Sequence, residues 1–302
     1  MRQEEIHKLL AEATGSTRCL DYDACPLQGG LLVNMDGYSM SSSKPPWASI
    51  EDWAWRAVIA SASDVAASGG RPLGIIYSIG VPSLEEALEA ARGVGEAARW
   101  IGAEVLKSDT NRCRCDSWID VGVIGVSSKP IPRSGARPGD LVVQVGYAGY
   151  GLLAKLAMEG TLRVEELSED LIALLRRPRP PLVVGPSISS CGATASSDNS
   201  DGLGYTLRVI AESSGVRMLL EDPLVDPRVL RVLRGLGKEP GDAYNSWEDY
   251  NLIVTLPRRR ASCLLGSCSR LGIPCRIIGR VEKGEGLVYQ GRDLRVKVWE
   301  WF

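Results

Sequence analysis

The sequence predicts an α/β (α+β) protein of two domains, with mixed sheets and helices packed on them. At 302 residues the chain is long enough for two cores. Short strand-like apolar runs are interleaved with capped segments of three/four periodicity from end to end. At Ser127-Ser-Lys-Pro-Ile-Pro132 the pattern pauses in a linker-like stretch and then restarts. The expected division is therefore 1–131 and 132–302.

The first segment, to about Ala13, reads as a polar helix rather than a signal peptide. Leu20-Asp-Tyr-Asp-Ala24 is a turn with two carboxylates, and Leu31 to Met35 is a strand followed by Asp36-Gly37. A polar loop from Ser39 to Pro46 leads to a helix with apolar or small residues at 50, 53, 54, 57, 58, 62, 65 and 66. Ser49 with Asp52 forms its capping box, and Gly69-Gly70 with Pro72 ends it. Asp64 then lies near the helix C-terminus, where the macrodipole disfavours a carboxylate, with no Lys or Arg within a turn. A solvated surface carboxylate and a metal ligand both fit that position. Leu73 to Gly80 is a strand, Ser83 caps a helix that stops at Gly102, Glu104 to Leu106 is a short strand, and Trp118 to Gly125 another.

After the linker, Leu141 to Val145 is a strand and Gly146-Tyr-Ala-Gly-Tyr-Gly151 a glycine-rich turn into a helix, a weak phosphate-cradle signal. Gly185 to Ser197 reads as a Gly/Ser-rich loop before Asp198-Asn-Ser-Asp201. Helices follow from about Leu203, Asp226 and Ala261; strands are expected at 216–220, 250–256 and 274–281, with a hairpin-like end from Leu287 to Trp299.

Hydrophobic residues make up 44% and charged residues 24%, with a net charge of −2, so no general affinity for nucleic acid or membranes is implied. No apolar run approaches a membrane-span length. A cytoplasmic protein is expected. The basic runs at Arg176-Arg177 with Arg179 and at Arg258 to Arg260 read as solvated faces. The single histidine, His7, argues against triads and zinc-hydrolase motifs. Eight cysteines, at 19, 25, 113, 115, 191, 263, 268 and 275, form no CxxC pair. Buried free thiols are expected, with disulfides open to a hyperthermophile source.

Carboxylates recur at turns: Asp21, Asp23, Asp36, Asp109, Asp198 and Asp201. Without histidines, such a set favours a hard cation such as Mg2+, and Mg2+ suggests phosphate chemistry. No P-loop sequence is present.

Eight motifs in order resemble the thiamine-monophosphate kinase family, within the aminoimidazole ribonucleotide synthetase superfamily. Asp21-Tyr-Asp-Ala-Cys25 resembles Gly-Asp-Asp-Ala/Cys, and Asn34-Met-Asp36 resembles Ser/Thr-Thr-Asp. Ala62-Ser-Asp-Val-Ala-Ala-Ser-Gly-Gly-Arg-Pro72 resembles Leu-Ser-Asp-Leu-Ala-Ala-Met-Gly-Ala-x-Pro. Lys107-Ser-Asp-Thr-Asn-Arg112 resembles Gly-Gly-Asp-Thr-Thr-Arg, and Arg133-Ser-Gly-Ala-Arg-Pro-Gly-Asp140 is close to the family's Arg-Ser-Gly-Ala-Lys-Pro-Gly-Asp. Asp198-Asn-Ser-Asp-Gly-Leu203, Trp247-Glu-Asp-Tyr250 and Trp299-Glu-Trp-Phe302 resemble Asp-Ile/Leu-Ser-Asp-Gly-Leu, Gly-Glu-Asp-Tyr and Trp-Asp-His-Phe.

The resemblance implies a two-domain aminoimidazole ribonucleotide synthetase-like fold, a homodimer formed through the N-terminal sheets, and ATP with Mg2+ in the interdomain cleft. Residues 1–131 would bind ATP and Mg2+ and dimerise. The implied activity is ATP-dependent phosphorylation of thiamine monophosphate to the diphosphate. Asp23, Asp36, Asp64, Asp109, Asp198 and Asp201 would ligate metal; Asp109 and Arg133 would be catalytic. Ser108, Asp109, Arg133 and Ser200 would contact the nucleotide, and Glu248, Trp299 and Ser43 the acceptor. Departures occur where Asn34, Met35, Ser43 and Ser108 replace the family's Ser, metal-contacting Thr, substrate-contacting His and Gly, and where Asn245-Ser-Trp replaces a glycine-rich approach to Glu248. A divergent kinase, a paralogue with another acceptor and a non-catalytic nucleotide-binding dimer all fit those departures.

Overall fold

A computed structural model describes residues 3–296. The first half holds α1 (Gln3–Thr14), β1 (Cys25–Pro26), β2 (Leu31–Ser39), α2 (Met40–Ser43), α3 (Ile50–Ala67), β3 (Arg71–Val81), α4 (Leu84–Ile101), β4 (Glu104–Arg112) and β5 (Trp118–Val126). Its five strands form a sheet in the order β1-β2-β5-β3-β4, antiparallel except for β3 with β4.

The second half holds β6 (Asp140–Val145), α5 (Tyr150–Met158), α6 (Glu169–Arg176), α7 (Gly185–Ser190), β7 (Ala195–Asp198), α8 (Leu203–Ser214), β8 (Arg217–Leu220), α9 (Pro227–Gly235), β9 (Leu252–Pro257), α10 (Ala261–Arg270), β10 (Cys275–Glu282), β11 (Gly286–Tyr289) and β12 (Arg292–Asp293). The sheet order is β12-β11-β8-β10-β6-β9-β7, with β11 and β8 the parallel pair.

Helix α3 organises both halves. The Ser49–Asp52 capping box is present, with each side chain bonded to the other's backbone N–H. The apolar periodicity suggested one buried face, but 15 of its 18 residues are buried. Alanines and serines fill the positions between the large residues, so neighbours close in all round. It packs on β2, β3, β5 and α4 on one side and reaches β7 and β9 on the other. One apolar core accordingly runs from Leu32, Ile75 and Val121 through Trp53 and Ile59 to Val143, Leu252 and Val254.

Several expectations are corrected. β4 does not stop at Leu106: Lys107 to Arg112 pairs in register with Ile76 to Val81, so Asp109 stands in a strand rather than at a turn. The Gly185 to Ser197 stretch contains α7 and β7. Arg177 is not merely solvated: its guanidinium meets Asp52 at 2.5 Å, Glu51 at 3.4 Å and also Glu96. Cys19–Cys25 and Cys191–Cys263 are disulfides, whereas Cys113, Cys115, Cys268 and Cys275 are thiols. Among the described residues no helix is long and apolar enough to cross a membrane.

Among the described residues no helix covers the outer face of the first sheet at its centre. Met35 on β2 pairs with Gly122 on β5, which pairs with Ile76 on β3; Met35 is 66% and Ile76 42% exposed. Every residue of the edge strand β4 is exposed.

Candidate active site

Side chains alternate along a strand, so Asn34 and Asp36 share the α3-facing side of β2 while Met35 turns outward. The last turns of α3 bring Ser61, Ser63 and Asp64 to that place; the chain before β1 brings Asp23, and the end of β7 brings Asp198. One oxygen from each of Asp23, Asp64 and Asp198 lies within 4.8 Å of the others. Asn34 links Asp36 to this group, donating at 2.7 Å to Asp36 Oδ2, 2.5 Å to Asp64 Oδ2 and 3.3 Å to Ser61 Oγ. Ser63 Oγ donates to Asp198 Oδ2 at 2.6 Å, and Ser197 Oγ to Asp23 Oδ1 at 3.1 Å. Arg133 Nε donates to Asp23 Oδ1.

Burial pushes the carboxyls of Asp36, Asp64 and Asp198 up, well up in the last two. Repulsion adds to it: Asp198, Asp36 and Asp23 act on Asp64, and Asp23, Asp36 and Asp201 on Asp198. Arg133 opposes the rise at Asp64. The α3 C-terminus adds its own negative end to the site. Crowded carboxylates with oxygen donors only and too little positive charge fit a hard divalent cation such as Mg2+. Asp23, Asp64 and Asp198 are the residues placed to hold one.

A second polar group lies along α3. Glu248 and Tyr250 both adopt left-handed backbone conformations, each with φ of 51°. Non-glycine residues rarely do so, and such strain clusters at functional sites. Glu248 Oε2 accepts from Arg56 Nη2, while Tyr38 and Tyr250 join hydroxyls at 2.6 Å, with Tyr38 also 3.4 Å from Glu248 Oε1. Burial, with the Glu248 charge, pushes both tyrosines well up, keeping them neutral donors. Glu248 and Arg56 line a cavity of about 340 Å³ walled by Trp100, Tyr147, Tyr150 and Ile273.

The structure thus brings together Asp23, Asp36, Asp64, Asp198 and Arg133, with Ser200 Oγ 3.5 Å from Asp198. Asp201 is close enough for its charge to act on Asp198. Asp109 is not brought to this group within the chain. It pairs with Ser78, which pairs with Asp120, on the outer face of the sheet. Three strand spacings, about 14 Å, separate β4 from β2. Ser108 faces the other way but on the same exposed edge strand. Ser43 is occupied elsewhere, donating to Ser39 O at 2.5 Å and accepting from Trp53 Nε1 at 2.8 Å. Trp299 lies outside the described residues.

The glycine-rich turn is not an open phosphate cradle. Asp249 accepts from Gly149 N at 2.8 Å and Gly151 N at 2.9 Å, and Ser246 accepts from Leu152 N at 3.0 Å, so the start of α5 is already capped. A side chain at Gly151 would strike Trp247 O, its Cβ only 1.6 Å away, so the glycine serves this close approach. The sequence reading missed Arg56, Tyr38 and Tyr250. A lone arginine amid the apolar run Trp53 to Ala60 was the available signal for the first.

A family model for the AIR synthase related protein, N-terminal domain, matches residues 21–127. The chain is 34% identical over 300 residues to the thiamine-monophosphate kinase of Pyrococcus horikoshii, covering 97% of this chain and 92% of that one. With the Pyrococcus abyssi enzyme of the same name, identity is 33% over 281 residues, covering 89% and 85%. A structure of AaThiL complexed with AMPPCP and TMP superposes with a TM-score of 0.85 at 26% identity, covering 100% of this chain and 97% of that one. The thiamine monophosphate kinase structure from Aquifex aeolicus gives 0.81 at 26%, covering 97% and 99%.

Proposed function

The chain belongs to the thiamine-monophosphate kinase family, and from that premise we propose that it transfers the γ-phosphate of ATP to thiamine monophosphate, yielding thiamine diphosphate. The observation that carries this reading is the convergence of Asp23, Asp64 and Asp198 on one point, beside Asp36 and Arg133. Carboxylates repel polyphosphate, so such a site takes it together with divalent cations. Mg2+, when bound, supplies charge neutralisation for the two phosphate groups. Ser63 and Ser197 fix the orientation of Asp198 and Asp23, and Arg133 adds the fixed positive charge on the same side. The acceptor phosphate is already an anion, so the transfer needs alignment more than a general base. That agrees with a site built without histidine, His7 being the only one in the chain.

We assign the acceptor's rings to the cavity beside Glu248. Its aromatic walls suit a flat cationic ring system, and the carboxylate favours the positive charge. Arg56 lies two turns before Asp64 on α3, about 12 Å along the axis, so a phosphate tail can extend from that cavity to the aspartates.

The protein works as a homodimer in this reading. The apolar outer face around Met35 and Ile76 and the unpaired edge of β4 suit a second copy. Asp109 and Ser108 would then serve the partner's site. Residues 1–131 supply Asp23, Asp36 and Asp64 and the dimerising sheet, and 132–302 close the cleft with Asp198 and Arg133; a cytoplasmic location goes with these substrates. A coupled assay of ADP release tests the function. Release that requires both Mg2+ and thiamine monophosphate is expected. Release with another acceptor only, or ATP binding without turnover, would overturn it.

A further inference from the structure

Asp21 is a carboxylate that the metal group does not take up. Asp23, Asp64 and Asp198 converge without it, and both of its oxygens face Ser134. Oδ1 accepts from Ser134 N at 3.1 Å, and Oδ2 accepts from Ser134 Oγ. Its backbone oxygen accepts from Arg133 N at 2.7 Å. Two residues on, Asp23 accepts from Arg133 Nε. The Cys19–Cys25 disulfide closes the short loop that carries both aspartates. The stretch before Arg133 is held as well. Ile131 N donates to Ser68 O at 3.1 Å at the end of α3, and Ser196 N of β7 donates to Pro132 O at 3.0 Å. Residues 131–134 thus cross the three segments that carry Asp64, Asp198 and Asp23.

We propose that Asp21 is a positioning residue: it clamps Ser134 so that the Arg133 guanidinium stands fixed beside Asp23, ready for the nucleotide phosphates. The inference rests on Arg133 serving as the phosphate-facing cation of the reaction proposed above. Its bond to Asp23 uses Nε and leaves Nη1 and Nη2 for an anion. An arginine loses much rotamer freedom when it is ordered, and a clamped one has lost part of it before the ligand arrives. Such a clamp needs hydrogen-bond geometry rather than charge. In Asp21→Asn the amide oxygen still accepts from Ser134 N. Its NH2 donates to Ser134 Oγ, a hydroxyl that accepts as well as donates. Asp21→Ala loses both bonds.

The test is the affinity of the full-length folded protein for a non-hydrolysable ATP analogue with Mg2+, measured by calorimetry. Arg133→Ala should weaken binding roughly 10-fold or more, as the loss of a charge-assisted contact does. Asp21→Ala should weaken it roughly 2- to 10-fold, the effect of having to order a loose side chain on binding. Asp21→Asn should stay within about 2-fold of the parent. Added to Arg133→Ala, Asp21→Ala should bring no further loss, because its effect passes through that guanidinium. A merely structural role would lower affinity in both backgrounds. Should Asp21→Ala not fold, Ser134→Ala, which removes one of the two side-chain bonds, takes its place in the same cycle with a loss of roughly 3-fold. Losses that multiply in the double variant, full affinity in Asp21→Ala, or Asp21→Asn as weak as Asp21→Ala would overturn the clamp while leaving the role of Arg133 standing. Parental affinity in Arg133→Ala would remove that role and the clamp with it.

Discussion

Arg56 and Glu248 stand 192 positions apart in sequence and form an ion pair, its arginine 5% and its glutamate 26% exposed. The same guanidinium donates Nη1 to Leu175 O at 2.8 Å, so Arg56 joins α3, the end of α6 and the strained Glu248 turn. Removing one partner of a buried pair leaves a charge without compensation, at about 3 kcal/mol or more. Arg56→Ala should therefore lower the thermal midpoint and raise the KM for thiamine monophosphate more than that for ATP. Equal changes in both KM values would assign Arg56 to folding alone. Arg56→Lys should recover part of the stability, since one ammonium cannot span both acceptors in the guanidinium's fixed geometry.

The raised carboxyls of Asp36, Asp64 and Asp198 give a signed pH dependence. Above their ordinary value of 3.8, the folded protein binds protons that the unfolded chain has released. Stability without metal therefore falls as pH rises through their folded range. Arg133 offsets part of the repulsion. Metal-free protein should melt higher at pH 6 than at pH 8, and Mg2+ should raise the midpoint more at pH 8. Thermal scans with EDTA or Mg2+ at both pH values check this; a metal-free protein more stable at pH 8 would contradict the electrostatics described for the site.

Because Asp64 faces α3's side of the sheet and Asp109 the outer face, a shared site has a mixing signature. Asp64→Asn and Asp109→Asn should each abolish activity as pure homodimers. In a mixed dimer one of the two sites receives a native residue from each protomer. Random mixing should then restore about a quarter of the original activity. Mixed preparations as inactive as the separate ones would exclude a site shared across the dimer.

Much of this architecture was legible in the chain. Capping and periodicity located α3 and α4; carboxylates read at turns picked out Asp23, Asp36 and Asp198, and the uncompensated helix end picked out Asp64, although Asp36 stands inside β2 and Asp64 inside α3. The rest depended on long-range contacts that local patterns do not encode. Nothing near Arg177 announces Asp52, Glu51 and Glu96, which reach it from two other helices. Asp109 has a similar difficulty: its strand was legible only in its first residues, and the face it takes depends on register with β3. The left-handed turn at Glu248 has no glycine to mark it, since tertiary bonds hold it there.

Asp249 is a buried cap with a measurable pH signature. Burial pushes its carboxyl up to about 6, although Ser246 and the N–H groups of Gly151 and Gly149 pull the other way. Between about pH 4 and 6 the folded state holds a proton there that the unfolded state has lost, so this group's contribution declines by about 3 kcal/mol across the window. Asp249→Asn should flatten that part of the stability–pH curve relative to the parent. It should also lower stability by about 1 kcal/mol at pH 5, because one amide oxygen cannot accept from both Gly149 and Gly151. Urea titrations of both proteins across the window decide it; parallel curves would mean the cap does not titrate there.

Asn34 stands between two carboxylates, and its amide is a donor that a metal ion cannot use. It bonds Asp36 and Asp64 at 2.7 and 2.5 Å and so screens their repulsion. Asn34→Asp keeps the shape and replaces that donor with a further negative charge. Without metal the variant should be less stable than the parent at pH 8, by about 1–3 kcal/mol for an uncompensated polar group in this cleft. Mg2+ should recover most of the loss, because an added carboxylate strengthens the cation site while it weakens the empty one. Asn34→Ala separates charge from hydrogen bonding: it should lose stability without metal but gain little extra from Mg2+. Melting curves of the three proteins, titrated with Mg2+, provide the comparison. If Asn34→Asp were as stable as the parent in EDTA, the amide's screening role would be wrong; if Mg2+ stabilised all three alike, Asn34 would lie outside the ion's reach.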